Sequence, residues 1–115
     1  MMKKALLLFC GFLTLTAIAQ QAPNGITASN GKLIGFYQYT PTDYGTSTSV
    51  KYPLIIFLHG IGERGNGTTD LWKVKREGIP AYIENGHRMQ FNWNGKSETF
   101  LVLSPAVQRR YEMVF

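Results

Sequence analysis

Residues 52–65, YPLIIFLHGIGERG, contain a short apolar run that leads directly into a glycine-rich turn. The five consecutive large apolar residues Leu54–Leu58 predict a strand that is covered on both faces of a sheet. Glycines at positions 60, 62 and 65 allow the backbone to turn sharply and to bring its N–H groups close to a ligand. The stretch therefore predicts a buried strand followed by a ligand-binding loop.

The residues on either side of this stretch predict further strands and two helices. Leu33–Thr40 is rich in aromatic and β-branched residues and predicts a strand that forms an antiparallel hairpin with Val50–Leu58. After the loop, Thr68 or Thr69 is a candidate cap for a helix that begins near Asp70. A second short helix is predicted from Pro80 to Asn85.

A second apolar run closes the pattern. Residues 90–97 predict an irregular loop, and Thr99–Leu103 predicts another buried strand that ends at Ser104-Pro105. The order strand, strand, glycine loop, helix, strand predicts an α/β fold with a crossover between two parallel strands. We expect one domain, and we expect it to be incomplete at Phe115.

The first nineteen residues predict a signal peptide. Lys3 and Lys4 precede a mostly apolar stretch, and Ala17-Ile18-Ala19 supplies small residues before a cleavage site. A transmembrane anchor is an alternative, but the apolar stretch is shorter than the ~20 residues that span a bilayer. Lipidation at Cys10 is a second alternative, which the bulky Phe9 disfavours. We therefore expect a secreted or periplasmic protein with no membrane attachment after cleavage.

Charge and cysteine content exclude several classes of protein. Cleavage after Ala19 removes Cys10, the only cysteine, so the mature chain has no disulfide bonds. The net charge of +5 is modest and the basic residues are dispersed, so no nucleic-acid partner is expected. The two histidines are far apart and the carboxylates are scattered, so no metal site or cofactor is expected.

The loop at His59-Gly60-Ile61-Gly62 suits the stabilisation of negative charge. Backbone N–H donors at the carboxyl end of a buried strand can bind the oxyanion of a tetrahedral intermediate, and flanking glycines leave room for a substrate carbonyl. The motif resembles that of the α/β-hydrolase superfamily, in particular secreted esterases of the dienelactone-hydrolase, polyhydroxybutyrate-depolymerase and feruloyl-esterase groups. The resemblance covers residues 33–105.

The resemblance implies roles for individual residues. The backbone N–H of Ile61 would be one oxyanion donor between Gly60 and Gly62, and the ring of His59 would support the loop. Glu63 and Arg64 would stabilise the loop or contact a polar group of the substrate. The substrate would be a small-molecule ester or one linked to a polysaccharide.

The nucleophile of such an esterase is missing from these residues. No Gly-x-Ser-x-Gly sequence occurs, and the acid and the catalytic histidine of the family follow the nucleophile in the chain. We therefore expect all three beyond Phe115 and expect no activity from these residues alone. The domain boundaries implied are a signal peptide at 1–19, a flexible lead-in at 20–32 and the N-terminal portion of one hydrolase domain at 33–115.

Two other functions remain open. A secreted carbohydrate-binding module would stack sugars on Tyr37, Tyr39 and Trp93, with the glycine loop acting only as a turn. A peptidase of the same fold would use the same loop on amides. For Trp72 we expect packing in the core or at its rim, and for His87 an exposed loop position.

Overall fold

The computed structural model describes residues 21–108, so the predicted signal peptide, Cys10 and the chain end at Phe115 lie outside the described residues. The strands are β1 (Gln21–Thr27), β2 (Leu33–Tyr39), β3 (Leu54–Ile56), β4 (Gln90–Trp93), β5 (Lys96–Thr99) and β6 (Leu101–Pro105). Two 3₁₀ helices, Ile61–Glu63 and Leu71–Arg76, precede a single seven-residue α-helix, α1 (Gly78–Glu84).

The larger sheet has four strands in the order β1-β2-β6-β3. β2 is antiparallel to both of its neighbours, with Tyr37 opposite Ser104 and Tyr39 opposite Val102. β3 and β6 are parallel, with Ile55 opposite Val102. β4 and β5 form a separate two-stranded antiparallel sheet.

The described part of the chain is therefore a mostly β structure with few helical residues, and the α/β-hydrolase-like α/β fold predicted from the sequence is wrong. The connection from β3 to β6 contains the two 3₁₀ helices, α1 and the β4–β5 hairpin, where a helix beginning near Asp70, a second short helix at residues 80–85 and an irregular loop at residues 90–97 were expected. Gly78 has a φ of 63°, a left-handed conformation that interrupts any continuous helix across this region.

Two further sequence expectations differ from the structure. Residues 21–27, predicted to belong to a flexible lead-in, form β1 and pair along their whole length with β2. The strand that leads to the glycine loop pairs with β6 and not with β2, so the predicted hairpin between residues 33–40 and 50–58 is absent. The hairpin is instead formed by β1 and β2. Both edges of β2 are occupied, one by β1 and the other by β6, so β3 cannot pair with it.

The core lies on one face of the four-stranded sheet, against the second 3₁₀ helix and α1. Two clusters of buried apolar residues form it. The first consists of Tyr37, Leu71, Val74 and Ala106, and the second of Tyr39, Ile83, Met89 and Val102. The opposite face has no such layer among residues 21–108, and β3 is half exposed there rather than covered on both faces as the sequence predicts.

Candidate functional site

The glycine loop leaves the sheet at the carboxyl end of β3. Because β3 and β6 are parallel, the residues that follow β6 lie at the same end of the sheet. The loop is attached to that segment by a hydrogen bond in which the N–H of Gly65 donates to the carbonyl oxygen of Val107 at 3.3 Å. The site is therefore built from two connections that leave the same end of a parallel pair.

His59 fixes the loop through both nitrogens of its ring. Its Nε2 atom accepts a hydrogen bond of 2.7 Å from the backbone N–H of Val107. Its Nδ1 atom lies 2.7 Å from the carbonyl oxygen of Gly60, and because a carbonyl only accepts, Nδ1 carries the proton. With both nitrogens engaged, the ring has no free acceptor for a nucleophile's proton, which suits the supporting role inferred from the sequence.

The N–H groups of Ile61 and Gly62 lie at the start of the first 3₁₀ helix. The first N–H groups of a helix have no partner within it, and neither of these two finds an acceptor among residues 21–108. Ile61 as a whole residue is 78% exposed. The loop thus contains two adjacent donors without an acceptor among residues 21–108, next to a histidine that is bonded through both ring nitrogens.

The two glycines of the motif have different surroundings. A side-chain carbon at Gly60 would lie 3.1 Å from the Oε2 atom of Glu63, whereas one at Gly62 would meet no atom within 4 Å. A side chain at position 60 would therefore be tight, and the Glu63 carboxylate would have to move by a few tenths of an ångström. At position 62 the fold leaves space, and only an approaching ligand would make a side chain unfavourable there.

Glu63 and Arg64 do not share the role that the sequence suggests. The Glu63 side chain is buried, whereas Arg64 is exposed, and the two do not form an ion pair with each other. The Glu63 carboxylate lies against Gly60, on the inner side of the loop. Glu63 is thus placed to support the backbone, and Arg64 is the member of the pair that a ligand could contact.

A second turn, at residues 65–70, holds the far end of the loop and was not predicted. The Oδ1 atom of Asp70 accepts a hydrogen bond of 2.7 Å from the N–H of Asn66, and its Oδ2 atom accepts one from Lys73. Gly65 packs against the same carboxylate so closely that a side chain there would overlap it. The Asn66-x-x-x-Asp70 spacing is the sequence signal, because short Asn and Asp side chains cap backbone turns.

The pKa of Asp70 shows which interactions dominate in this turn. Burial by itself would raise the pKa, but the hydrogen bonds from the backbone of Asn66 and from Lys73, together with the charge of Lys73, outweigh it. The net effect is a lowered pKa. Asp70 is therefore a structural carboxylate that stays ionised, and it is a poor candidate for a general acid.

The proposed sugar-stacking tyrosines are not available to a ligand. Tyr37 and Tyr39 are 8% and 1% exposed, and both belong to the core clusters. Burial raises the pKa of Tyr39, and its hydroxyl donates a hydrogen bond of 2.8 Å to the carbonyl oxygen of Arg88. The interpretation of these two residues as a binding face is therefore wrong.

The tryptophans and His87 lie outside the core. Trp72 is 54% exposed, which excludes packing in the core and leaves the rim position that was also expected, and Trp93 is 75% exposed on β4. His87 is exposed as expected; its Nδ1 atom accepts a hydrogen bond from the N–H of Met89, and its ring lies 5.2 Å from that of Phe91.

The β4–β5 hairpin stands at the opposite end of β6 from the glycine loop. Its base is attached where β6 begins, since the N–H of Phe100 donates to the carbonyl oxygen of Met89. The glycine loop contacts Val107, beyond the other end of β6. Trp93 is thus separated from Ile61 by the length of a strand, and the two do not line one site.

Metal and membrane features are missing from the described residues. Residues 21–108 contain no cluster of three or more histidine, cysteine or acidic side chains that could hold a metal ion. Within the same residues, none of the helices has the length and apolar character needed to cross a bilayer.

Comparisons with known proteins leave the family open. No protein-family model and no curated protein matches this chain. The resemblance to α/β-hydrolase esterases therefore stays a prediction from the motif at His59–Gly62.

Proposed function

We propose that this chain supplies one part of the active site of a carboxylic ester hydrolase, namely the loop that binds the oxyanion. In this proposal the N–H of Ile61 donates to the oxygen of the tetrahedral intermediate, and Gly60 and Gly62 flank it. The proposal depends on the geometry of the loop and does not depend on the fold class. A peptidase would use the loop in the same way on an amide.

The observation that carries the proposal is the N–H of Ile61, which has no acceptor among residues 21–108 and belongs to a residue that is 78% exposed, in a loop that His59 fixes on both sides. Preorganised donors stabilise a developing oxyanion because they need no reorganisation during the reaction, and one such donor contributes about 3 kcal/mol. His59 provides that preorganisation through its bonds to Gly60 and Val107.

The reaction would be acyl transfer to a serine. A histidine would activate the serine and an acid would orient the histidine. The sequence contains no Gly-x-Ser-x-Gly, and His59 has no free ring nitrogen, so these three groups come from outside the 115 residues. No cofactor takes part, and the protein acts after export.

The test uses an anion that imitates the tetrahedral intermediate. Phenylphosphonate is titrated into the ¹⁵N-labelled chain, and the largest amide shifts are expected at Ile61 and Gly62. Ile61→Pro removes the N–H at the first position of a 3₁₀ helix, where proline is tolerated, and should weaken binding at least fivefold. Ile61→Ala retains the N–H and should bind as the parent chain does.

Two results would contradict the proposal. Equal phosphonate affinity in the proline and alanine variants would exclude the Ile61 N–H as a donor. Turnover of p-nitrophenyl acetate by the purified chain above the rate of the Ile61→Pro variant would contradict only the part of the proposal that places the nucleophile outside these residues, and would itself support the Ile61 N–H as a donor.

Carbohydrate binding is the second candidate, and the exposure of the hairpin favours it. Phe91 and Trp93 are two positions apart on β4, so they lie on the same face of the strand. They are 44% and 75% exposed, and exposed aromatic rings can stack on sugars. Quenching of tryptophan fluorescence by soluble xylan, lost in Trp93→Ala but retained in Trp72→Ala, would support this function. Equal quenching in both variants would exclude it.

A further inference from the structure

The edge of the four-stranded sheet at β3 has unpaired backbone groups. The N–H of Phe57 donates to Leu103 and the carbonyl of Pro53 accepts from Leu101, so alternate residues of this segment direct their backbone groups toward β6. The residues between them, Leu54 and Ile56, direct theirs away from the sheet, and β3 has no second neighbour among residues 21–108. Such a row of free groups is a template for another strand.

The same residues expose large apolar side chains. Leu54, Ile56 and Leu58 are 50%, 61% and 68% exposed, whereas Ile55 packs against the second core cluster. We call Leu54, Ile56 and Leu58 the β3 edge. The run Leu54–Leu58 has the composition of a strand with a neighbouring strand on each side and cover on both faces. Among residues 21–108 it has one neighbouring strand, β6, and cover on one face.

The charge around the β3 edge indicates what kind of partner fits. Although the chain has a net charge of +5, no residue of β3 is charged, and its same-face neighbours on β6, Leu101 and Leu103, are apolar. An uncharged surface offers nothing to an acidic or basic partner. The complementary surface is therefore apolar and uncharged.

The other edge of the sheet is protected against such pairing. β1 contains Pro23, which lacks an N–H, and Gly25, which has a low preference for strands. Between Leu54 and Leu58 there is no proline, glycine or charge. Natural proteins use those residues to block edge pairing, so the two edges of this sheet differ in their capacity to accept a strand.

The available area favours an added strand over face-to-face dimerisation. The exposed surface of these three residues together is less than that of two fully exposed residues. This is on the order of 200 Å² of apolar surface. A stable interface buries about 800 Å² on each partner. An added strand does not depend on that area alone, because main-chain hydrogen bonds provide much of its affinity.

We propose that the β3 edge binds an extended polypeptide segment with aliphatic side chains at alternate positions, which joins the sheet as a fifth strand beside β3. Its backbone bonds to the outward groups of Leu54 and Ile56. Its side chains continue the apolar face formed by β3 and β6. The partner is thus a strand-forming, uncharged segment of about five residues.

The experiment uses a synthetic peptide of alternating valine and threonine with a lysine at each end. Titration into the ¹⁵N-labelled chain should give saturable amide shifts at residues 54–58, and hydrogen exchange at Ile56 should slow at least tenfold. Ile56→Pro removes an outward N–H without removing a bond to β6, and should weaken binding at least tenfold. Thr27→Pro, which removes an outward N–H from the β1 edge, should leave binding unchanged.

A second pair of probes separates strand addition from apolar adhesion. The peptide is methylated on alternate backbone nitrogens, in either of the two possible phases. Only the phase that places methyl groups toward β3 should abolish binding. Equal effects of both phases, absence of saturable binding, or protection of Ile56 in a dimer formed without peptide would each overturn the proposal.

Discussion

His59 and Val107 are joined by a hydrogen bond of 2.7 Å in which the ring accepts from the backbone N–H. The two residues are 48 positions apart in the chain, and the bond connects the loop that follows β3 to the segment that follows β6. The first residue of the glycine motif therefore joins the two chain connections. Strands β3 and β6 are held together by their own backbone hydrogen bonds and do not depend on His59.

Replacement of His59 by alanine should loosen the loop while leaving the sheet intact. The N–H of Val107 loses its acceptor, which should cost about 1 kcal/mol of unfolding free energy. Hydrogen exchange at Val107 should accelerate at least fivefold, and exchange at Phe57, which bonds to Leu103 within the sheet, should change little.

His87→Ala is the matched control for this change. His87 also accepts a backbone N–H through its ring, but from Met89, only two residues away. Its loss should not alter exchange at Val107. If His59→Ala leaves exchange at Val107 as slow as in the parent chain, the bond does not hold the loop.

Removal of two buried hydroxyl groups, those of Tyr39 and Ser104, should have different effects on the free energy of unfolding. The Tyr39 hydroxyl donates to Arg88, so Tyr39→Phe should lower the unfolding free energy by about 1 kcal/mol. The Oγ atom of Ser104 is buried and has no hydrogen-bond partner among residues 21–108, so Ser104→Ala should be neutral or stabilising by up to about 1 kcal/mol. Urea denaturation of both variants measures the difference, and a clear loss of stability in Ser104→Ala would show that the hydroxyl has a partner.

Glu84 should make stability depend on pH in the acidic range. Burial alone would raise the pKa of Glu84, but hydrogen bonds from Gln21 and Lys75 and the charge of Lys75 lower it overall. A lowered pKa in the folded state means that the stabilisation is present above the ordinary value of about 4.3 and is lost as pH falls through the lowered value. Because the side chain is partly exposed, the contribution should not exceed about 1 kcal/mol.

Urea denaturation at pH 7 and pH 3 measures this contribution. The loss of stability on acidification should be smaller in Glu84→Gln than in the parent chain. The matched control is Glu98→Gln, an exposed residue of β5, which should show the same loss as the parent. Equal losses in all three proteins would contradict a role for Glu84.

The first strand shows why local sequence was insufficient to predict the fold. β1 contains Pro23, Asn24 and Gly25, which have low strand preference, and the sequence therefore predicts a flexible segment. Its pairing with β2 depends on tertiary contacts. The buried side chain of Gln21 donates to the carbonyl of Pro80 and to Glu84, each about sixty positions away. No local pattern contains that information.

The β4–β5 hairpin, in contrast, had a local signal. Asn94 and Gly95 both have positive φ, 48° and 72°, as a two-residue turn of type I′ requires, and Asn-Gly is the preferred sequence for it. The strands were obscured because β4 is exposed and mixes polar with aromatic residues, and β5 is polar. In the loop after β3, the motif allowed the position of His59 to be inferred, but the burial of Glu63 and the Asp70 turn depend on packing within the loop.

Alanine substitutions at two glycines should distinguish a structural requirement from a functional one. A side chain at Gly35 would overlap the backbone of Gly67, so Gly35→Ala should lower the unfolding free energy by about 2 kcal/mol. A side chain at Gly62 meets no atom within 4 Å, so Gly62→Ala should change stability by less than about 0.5 kcal/mol. If Gly62 faces a ligand, as we propose, its alanine variant should nevertheless bind phenylphosphonate at least threefold more weakly. Unchanged affinity would show that position 62 does not adjoin the anion.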